Sequence, residues 1–187
     1  MTVSVVVPNY EGARWLPGLL GSLAAQTAPP AETIVVDNGS RDGSRAWLAD
    51  HHPGVRVITL HDNTGFAHAA NRGIAAAGGE LVAVLNPDVE LDADWLARLA
   101  ARFADPGIVA AACKMVALAD SRQLYDAGDV VRRDGACLQR GRGRRDDGAF
   151  DAPGEVFGAC AGAAMYRRSA VLSVGGFDER YFMYPGT

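Results

Sequence analysis

Short apolar runs alternate with amphipathic stretches through the first 115 residues, and this alternation constrains the fold more than any other feature. The runs have strand length, and some, such as TIVV and LVAVL, are apolar without interruption, as expected for strands covered on both faces. The stretches between them repeat apolar residues at helical spacing. The sequence therefore predicts an α/β fold with a mostly parallel sheet. The predicted strands are 3–7, 33–36, 55–60, 81–85 and 108–115, and the predicted helices are 15–26, 44–51, 66–77 and 92–102.

The pattern changes after residue 115. Residues 123–131 and 135–138 predict two short strands, and 156–157 and 163–167 predict two more, followed by a short helix to residue 174. A segment rich in glycine and arginine, residues 140–148, lies between the predicted strands 135–138 and 156–157. We interpret this segment as a solvated, mobile loop. The alternative is that its arginines bind the phosphates of a lipid-linked acceptor or anionic membrane headgroups.

Composition excludes several classes of protein. The chain has 187 residues, 49% of them hydrophobic, with a net charge of −4, which disfavours a nucleic-acid binder. No apolar stretch approaches the roughly 20 residues of a membrane-spanning helix. The three cysteines form no CxxC pair and the four histidines have no HExxH spacing, so a disulfide framework or a zinc site is not indicated. A reducing cytoplasmic setting fits this composition.

Polar residues follow three of the predicted strands. Residues 3–7 are followed by Pro8, Asn9 and Glu11, residues 33–36 by Asp37, and residues 81–85 by Asn86 and Asp88. The carboxyl ends of parallel strands meet at one edge of a sheet, where ligands bind. Two acids at such strand ends therefore predict one shared polar ligand. The alternative, that each acid starts a turn or caps a helix, is favoured for either acid alone but not for both together.

Glycine spacing limits how such a ligand could be held. The chain has no GxGxxG after its first strand and no GxxxxGK[ST], so neither a dinucleotide site nor a P-loop is supported. If the ligand carries phosphate groups, their charge is then usually neutralised by a divalent cation, Mg²⁺ or Mn²⁺, held by carboxylates. Asp88 is the candidate ligand, with Asn86 or Glu90 as a second contact. A nucleotidyltransferase is disfavoured because its N-terminal phosphate loop is missing.

Five segments occur in an order that resembles a known family: VSVVVPNYEG, TIVVDNGSRDGS, DNTGFAHAANRGI, LVAVLNPDVEL and GAAMYRRSAVLSVGGFDERYF. They resemble the family 2 glycosyltransferases with the GT-A fold, and most closely the bacterial rhamnosyltransferase-like branch that builds cell-surface polysaccharides. The resemblance implies a three-layer α/β/α domain, with residues 1–115 as the nucleotide-sugar half and 116–187 as an acceptor-side half that is incomplete at its C-terminus.

The activity that the resemblance implies is inverting transfer of a sugar from a dTDP- or UDP-sugar. The acceptor would be a cell-surface polysaccharide or a lipid-linked saccharide, and the enzyme would work in the cytoplasm, with peripheral contact at the inner membrane as an option. Asp88 would bind the cation, at the last acidic position of the family's DxD motif, whose first position is Asn86 here. The acceptor side would include Gly162, Ala163, Asp178 and Glu179. The nucleotide pocket would be lined by Pro8, Asn9, Tyr10, Glu11, Asp37, Asn38, Ser40, Gly65, Phe66, Asn71 and Asn86.

The chain departs from the family pattern at its end. In the family, the segment matching 175–184 is followed by a Glu-Asp pair whose Asp is the general base, whereas Tyr184 here precedes Pro-Gly-Thr. A general base contributes about 100- to 10,000-fold to rate, and we expect the usual one to lie beyond Thr187. Asp178 is the candidate substitute, although a turn or capping role is the favoured interpretation. The alternative function is a truncated, catalytically impaired domain that binds a nucleotide or a partner.

Overall fold

The computed structural model describes residues 1–182 and contains the predicted alternation of strands and helices. Several elements match their predicted limits, including the second helix and the fourth strand. The helices are α1 Leu16–Ala24, α2 Ser44–His51, α3 Phe66–Ala76, α4 Trp95–Arg102 and α5 Arg168–Ser173. The strands are β1 Val3–Asn9, β2 Glu32–Asn38, β3 Arg56–Leu60, β4 Leu81–Leu85, β5 Ala110–Ala112, β6 Met115–Ala117, β7 Asp120–Asp126, β8 Asp129–Val131, β9 Cys137–Gln139 and β10 Ala163–Arg167.

Six strands form the main sheet in the order β3-β2-β1-β4-β10-β5. Strands β1 to β4 are parallel, and β10 pairs antiparallel with both β4 and β5, so the sheet is mostly parallel, as predicted. From β1 the chain moves outward to β2 and β3, and then returns to the other side of β1 with β4. The order therefore reverses between β1 and β4, and the crevice at such a switch point is the usual ligand site of an open α/β sheet.

Apolar side chains are buried on both faces of the sheet. One cluster joins β1, β2 and β4 to α1 and α4 through residues such as Leu19 and Leu96, and the other joins them to α3 through Ile74. Every residue of β1 is buried, because helices cover the strand on both sides. Each large apolar side chain buried in this way contributes about 1.5–3 kcal/mol to folding. This core fixes the strand ends on which the site is built.

The structure differs from the predictions after residue 108. The predicted strand 108–115 is divided into β5 and β6, and the predicted strand 123–131 is divided into β7 and β8 at Gly128, whose φ of 97° is incompatible with a continuous strand. Residues 156–157 form no strand, although Gly158 bridges to Asp129.

The arginine-rich segment is more ordered than a solvated loop. Backbone hydrogen bonds join Arg140, Gly143, Arg144 and Asp146 to residues of β7 or the turn after it. This segment is therefore held along β7 by its main chain.

None of the helices within residues 1–182 has the length and apolar character that crossing a bilayer requires.

Candidate functional site

The loops after β1 and β2 are joined by hydrogen bonds at the carboxyl edge of the sheet. The Glu11 amide donates to Ser40 Oγ at 3.0 Å, and the Arg41 amide donates to Glu11 Oε1 at 2.8 Å. The Ala13 amide donates to Asp42 Oδ2 at 2.7 Å. Glu11 adopts a φ of 52°, an uncommon value for a residue with a side chain, so these contacts hold it in a strained conformation.

The loops after β1 and β4 meet across the switch point. A Cβ placed on Gly12 would lie 3.3 Å from Pro87 Cβ, so the two loops are in close contact. The Asn86 amide donates to the Gly162 carbonyl at 2.8 Å, which joins the end of β4 to the segment before β10. The structure therefore brings the residues predicted for the donor side and Gly162 of the acceptor side to the same edge.

Asp37 lies at this edge but is completely buried. Asn9 Nδ2 donates to its Oδ1 at 3.2 Å, the Ser40 amide donates to Oδ2 at 3.3 Å, and Arg45 Nε lies 3.5 Å from Oδ2. A carboxylate with no exposed surface cannot hydrogen-bond a ligand without rearrangement. Asp37, predicted to line the nucleotide pocket, therefore does not face a ligand in this conformation; it joins the loops after β1 and β2 instead.

Asn38 organises the neighbouring loop in a similar way. Its Nδ2 donates to Asn63 Oδ1 and the Gly65 carbonyl at 2.9 and 3.1 Å, and its Oδ1 accepts the Thr64 amide at 2.9 Å. Gly65 follows with a φ of 88°, and a Cβ there would lie 2.6 Å from the Phe182 carbonyl. The Gly65 position therefore requires glycine for both its backbone angle and its close packing.

Asn71 connects α3 to the 175–182 segment. Its Oδ1 accepts the Phe177 amide at 2.8 Å, and its Nδ2 donates to the Phe177 carbonyl and to Glu179 Oε1, both at 2.9 Å. His68 Nδ1 lies 2.9 Å from Glu179 Oε2. The hydrogen bonds from Asn71 and His68 hold the pKa of Glu179 below its usual value. Asn71 and Glu179, predicted for nucleotide and acceptor respectively, thus bind each other.

Asp178 forms a turn and an ion pair. Arg180 donates to it through Nε at 2.9 Å, through Nη2 at 2.5 Å and through its backbone amide at 3.0 Å. The side-chain bonds from Arg180 are the main cause that lowers the pKa of Asp178 to about 2. A carboxylate with so low a pKa is a weak proton acceptor at neutral pH. The turn interpretation fits this geometry, and the general-base interpretation does not.

Asp88 differs from Asp37, Asp178 and Glu179 because it is exposed and its side chain has no hydrogen bond or ion pair to any of residues 1–182. The same holds for Glu90, which the sequence predicted as a candidate second metal contact. The Asn86 side chain likewise has no such partner. Asp88 and Asn86 follow β4 at the switch point, in the loop that contacts the loop after β1 through Gly12 and Pro87. The loop after β1 also contains Tyr10, which is 50% exposed. A carboxylate and an amide oxygen are hard donors of the kind that Mg²⁺ or Mn²⁺ accepts. Within the described residues, no three metal-ligating His, Cys, Asp or Glu side chains form a group, so the protein offers a partial donor set.

The predicted residues therefore divide into two groups. Ala163 is 3% exposed and pairs with Leu85 inside the sheet, so it is a core residue rather than an acceptor contact. Buried members of the predicted nucleotide set are Pro8, Asn9, Asp37, Asn38, Ser40 and Gly65, and accessible or half-buried members are Tyr10, Glu11, Phe66, Asn71 and Asn86. The second group and Asp88 are the residues that a ligand can reach.

Sequence reasoning missed three residues that shape the site. Ser44 and Asp42 hold the loop after β2 through the 2.6 Å bond from Ser44 Oγ to Asp42 Oδ1, and Arg45 covers Asp37. The repeated Ser and Asp residues of NGSRDGS were the available signal.

A depression of about 420 Å³ opens on the β3 side of Asp37, lined by Gly39, Ser40, Arg41, Arg45, Thr59, Leu60 and His61.

The model of the family "Glycosyl transferase family 2" matches residues 4–175. The N-acetylglucosaminyl-diphospho-decaprenol L-rhamnosyltransferase of Mycobacterium tuberculosis is 30% identical over 96% of this chain and 66% of its own length. A PGL/p-HBAD biosynthesis glycosyltransferase of Mycobacterium bovis is 30% identical over 95% of this chain and 64% of its own length. The chain thus spans about two thirds of the length of these curated relatives.

Solved structures agree on the fold. Staphylococcus aureus TarS 1–349 superposes with a TM-score of 0.70 at 22% identity, covering 96% of this chain and 51% of TarS. The mannosyltransferase PcManGT of Pyrobaculum calidifontis, in complex with GDP-Man and Mn²⁺, gives a TM-score of 0.66 at 23% identity, covering 95% of this chain and 47% of its own. The three-layer α/β architecture predicted from the sequence is confirmed by these likenesses.

Proposed function

The chain belongs to glycosyl transferase family 2, and from that premise we propose that it transfers a sugar from a nucleotide-diphosphate donor to a saccharide acceptor. The observation that carries the proposal is a pair of oxygen donors at the switch point of the sheet, the exposed Asp88 and the half-buried Asn86, whose side chains have no hydrogen-bond partner among residues 1–182. Structures of similar fold are described with UDP-GlcNAc and with GDP-Man and Mn²⁺, which supports a nucleotide sugar as the donor class.

Asp88 is the residue that we expect to hold a divalent cation, with Asn86 beside it. When bound, such a cation supplies positive charge that stabilises the leaving diphosphate. Tyr10 and Glu11, from the loop after β1, would border the nucleotide, and the buried residues Asn9, Asp37 and Asn38 would keep that border in place. The protein's own contribution would be an edge of the sheet held by these hydrogen bonds, followed by the exposed carboxylates of Asp88 and Glu90.

The acceptor and the stereochemistry are the finer parts of the proposal. A relative named N-acetylglucosaminyl-diphospho-decaprenol L-rhamnosyltransferase supports a lipid-linked saccharide as the acceptor. We propose in addition a dTDP- or UDP-sugar as the donor and a reaction on the cytoplasmic side of the membrane. Inversion requires a carboxylate that removes the proton from the acceptor hydroxyl. Asp178, with its pKa of about 2, is poorly suited to that step.

One observation favours a second function. Asp178 is paired with Arg180 and Glu179 is engaged by His68, so neither carboxylate of the predicted acceptor side is free. A domain that binds a nucleotide sugar and catalyses no transfer would be compatible with this arrangement. The two functions share the donor site and differ only in turnover.

The test is incubation of the protein with UDP- and dTDP-sugars and Mn²⁺ or Mg²⁺, with and without a polyprenyl-diphosphate-linked saccharide. Acceptor-dependent transfer, with inversion read by NMR at the anomeric carbon, supports the enzyme. Binding of a donor without transfer or hydrolysis supports the second function. Asp88→Asn should abolish activity, whereas the matched control Asp50→Asn, at the far end of α2, should leave it unchanged. Failure to bind any nucleotide sugar would overturn both.

A further inference from the structure

Four buried polar side chains join β1 to the region after β2: Asn9, Asp37, Ser40 and Ser44, which we call the Asn9 network. All four are at most 4% exposed. Asn9 Nδ2 lies at the centre and is within hydrogen-bonding distance of three acceptors: Asp37 Oδ1 at 3.2 Å, Ser40 Oγ at 3.3 Å and Ser44 Oγ at 3.2 Å. The Asn9 side chain therefore faces the protein interior and presents nothing to a ligand.

The other half of the Asn9 amide shows which property of this residue matters. Its Oδ1 is buried and has no hydrogen-bond partner within residues 1–182, and it lies only 2.1 Å from the point that a Cβ on Gly12 would occupy. An unpaired buried acceptor is unfavourable. Its presence indicates that the amide orientation is set by donation from Nδ2 toward Asp37 and the two hydroxyls.

We propose that Asn9 is a positioning residue, which fixes the buried Asp37 carboxylate and through it the loop that borders the donor nucleotide. The link to that border is short, because Ser40 accepts the Glu11 amide at 3.0 Å and its own amide donates to Asp37. This inference rests on the proposed function, since it concerns the same nucleotide site. It differs from the prediction that Asn9 itself lines the pocket.

The charges around Asp37 define what a change at Asn9 would do. Arg45 on α2 is the charged group that approaches Asp37 among the described residues, at 3.5 Å, and its side chain is 56% exposed. The β1 and β3 neighbours of Asp37 in the sheet are Asn9 and Thr59, both neutral. The nearby acids Glu11 and Asp42 accept bonds from other groups.

The decisive variant is Asn9→Asp, which keeps the shape of the side chain and replaces the donor with a second carboxylate. Two buried carboxylates about 3 Å apart cannot both ionise, so the pair retains a proton until the pH is raised. Above that pH the pair repels and the loop is displaced. We expect the UDP affinity of this variant to fall by at least about tenfold between pH 5.5 and pH 8, relative to the wild-type profile, since one pK unit of coupling corresponds to a tenfold change.

Two further variants separate positioning from ordinary loss of stability. Gln26→Glu makes the same amide-to-carboxylate change at a residue that is 6% exposed and bonded to Leu96 and Asp92, away from the site. It should destabilise the fold but leave the pH profile of UDP binding parallel to that of the wild type. The double variant Asn9→Asp/Asp37→Asn again contains one amide and one carboxylate, so it should lose the steep pH dependence and regain affinity.

Several outcomes would overturn the inference. The first is a pH profile of UDP binding by folded Asn9→Asp that parallels the wild-type profile. The second is UDP binding by the double variant that depends on pH as steeply as in the single variant. The third is unchanged UDP affinity in Asn9→Ala. If the wild-type protein binds no nucleotide, the proposed function fails, yet chemical unfolding without ligand still tests Asn9. The stability of Asn9→Asp should then fall as pH rises, because the folded pair holds a proton that the unfolded chain releases, and the double variant should reduce this dependence.

Discussion

Asp37 and Asp88 lie at the same edge of one sheet, two strands apart, yet the protein treats them in opposite ways. Strands β2 and β4 lie on either side of β1. Two strand spacings therefore separate β2 from β4, a distance of roughly 10 Å. Asp37 is fully buried, and both of its oxygens have protein partners. Asp88 is exposed, and its side chain has no partner among residues 1–182.

The difference in burial distinguishes a structural carboxylate from a ligand-binding one, which the sequence pattern alone does not do. A buried, fully bonded carboxylate stabilises the arrangement of neighbouring loops, and exposing it would cost those bonds. An exposed carboxylate without a partner contributes little to folding and is available to a ligand. We propose that Asp37 holds the loops of the site in place and that Asp88 binds the ligand.

Substitution of Asp37 should affect folding more than any other change considered for this site. Asp37→Ala orphans the buried Ser40 amide and removes one acceptor of Asn9, so we expect a loss of about 2–4 kcal/mol in the free energy of unfolding. Asp88→Ala should change it by no more than about 0.5 kcal/mol. Urea unfolding of both variants measures the contrast, and equal losses would contradict the division of roles.

A smaller effect is expected in the loop that Asn38 holds. Gly65→Ala must place a Cβ at a φ of 88° and 2.6 Å from the Phe182 carbonyl, so we expect a loss of about 1–3 kcal/mol. Gly21→Ala, inside α1 with no atom within 4 Å of the new Cβ, should instead stabilise the protein by about 0.5–1 kcal/mol. Thermal unfolding that shows the same sign for both would refute the constraint at Gly65.

The smallest effect concerns acid stability. Partial burial raises the pKa of Asp42, but hydrogen bonds from Ser44 and from the Ala13 amide outweigh it, so the pKa lies below the usual 3.8. A lowered folded-state pKa gives stability that is present above pH 4 and is lost as pH falls. Asp42→Asn should therefore reduce this acid dependence, by less than about 1 kcal/mol because most of the side chain is exposed to solvent. Unfolding curves between pH 3 and pH 6 measure it.

The regular part of the fold could be predicted because its signals are local. Helix α2 and strand β4 have the limits that periodicity predicts, since an amphipathic stripe or an uninterrupted apolar run is read within one segment. The 113–158 region could not be predicted so well. Gly128 takes a positive φ that divides two strands, and the arginine-rich segment is held by main-chain bonds to residues of β7 that sequence patterns do not show.

The candidate site was only half predictable for a similar reason. That Asp37 and Asp88 end neighbouring regions of the sheet follows from strand order, and the sequence predicted it. That Asp37 is buried depends on Asn9, 28 residues away, and on Arg45 reaching back from α2. Such side-chain contacts between distant residues leave no periodic trace in the sequence.

The metal dependence of nucleotide binding distinguishes a ligand-binding Asp88 from a structural Asp37. UDP would be titrated by calorimetry into the wild-type protein, Asp88→Ala and Asp37→Asn, each with Mn²⁺ and with a chelator. We predict that Mn²⁺ strengthens binding to the wild type and to Asp37→Asn, and that it has no effect on Asp88→Ala, which remains folded. A persistent Mn²⁺ effect in Asp88→Ala, or its loss in Asp37→Asn alone, would contradict the account.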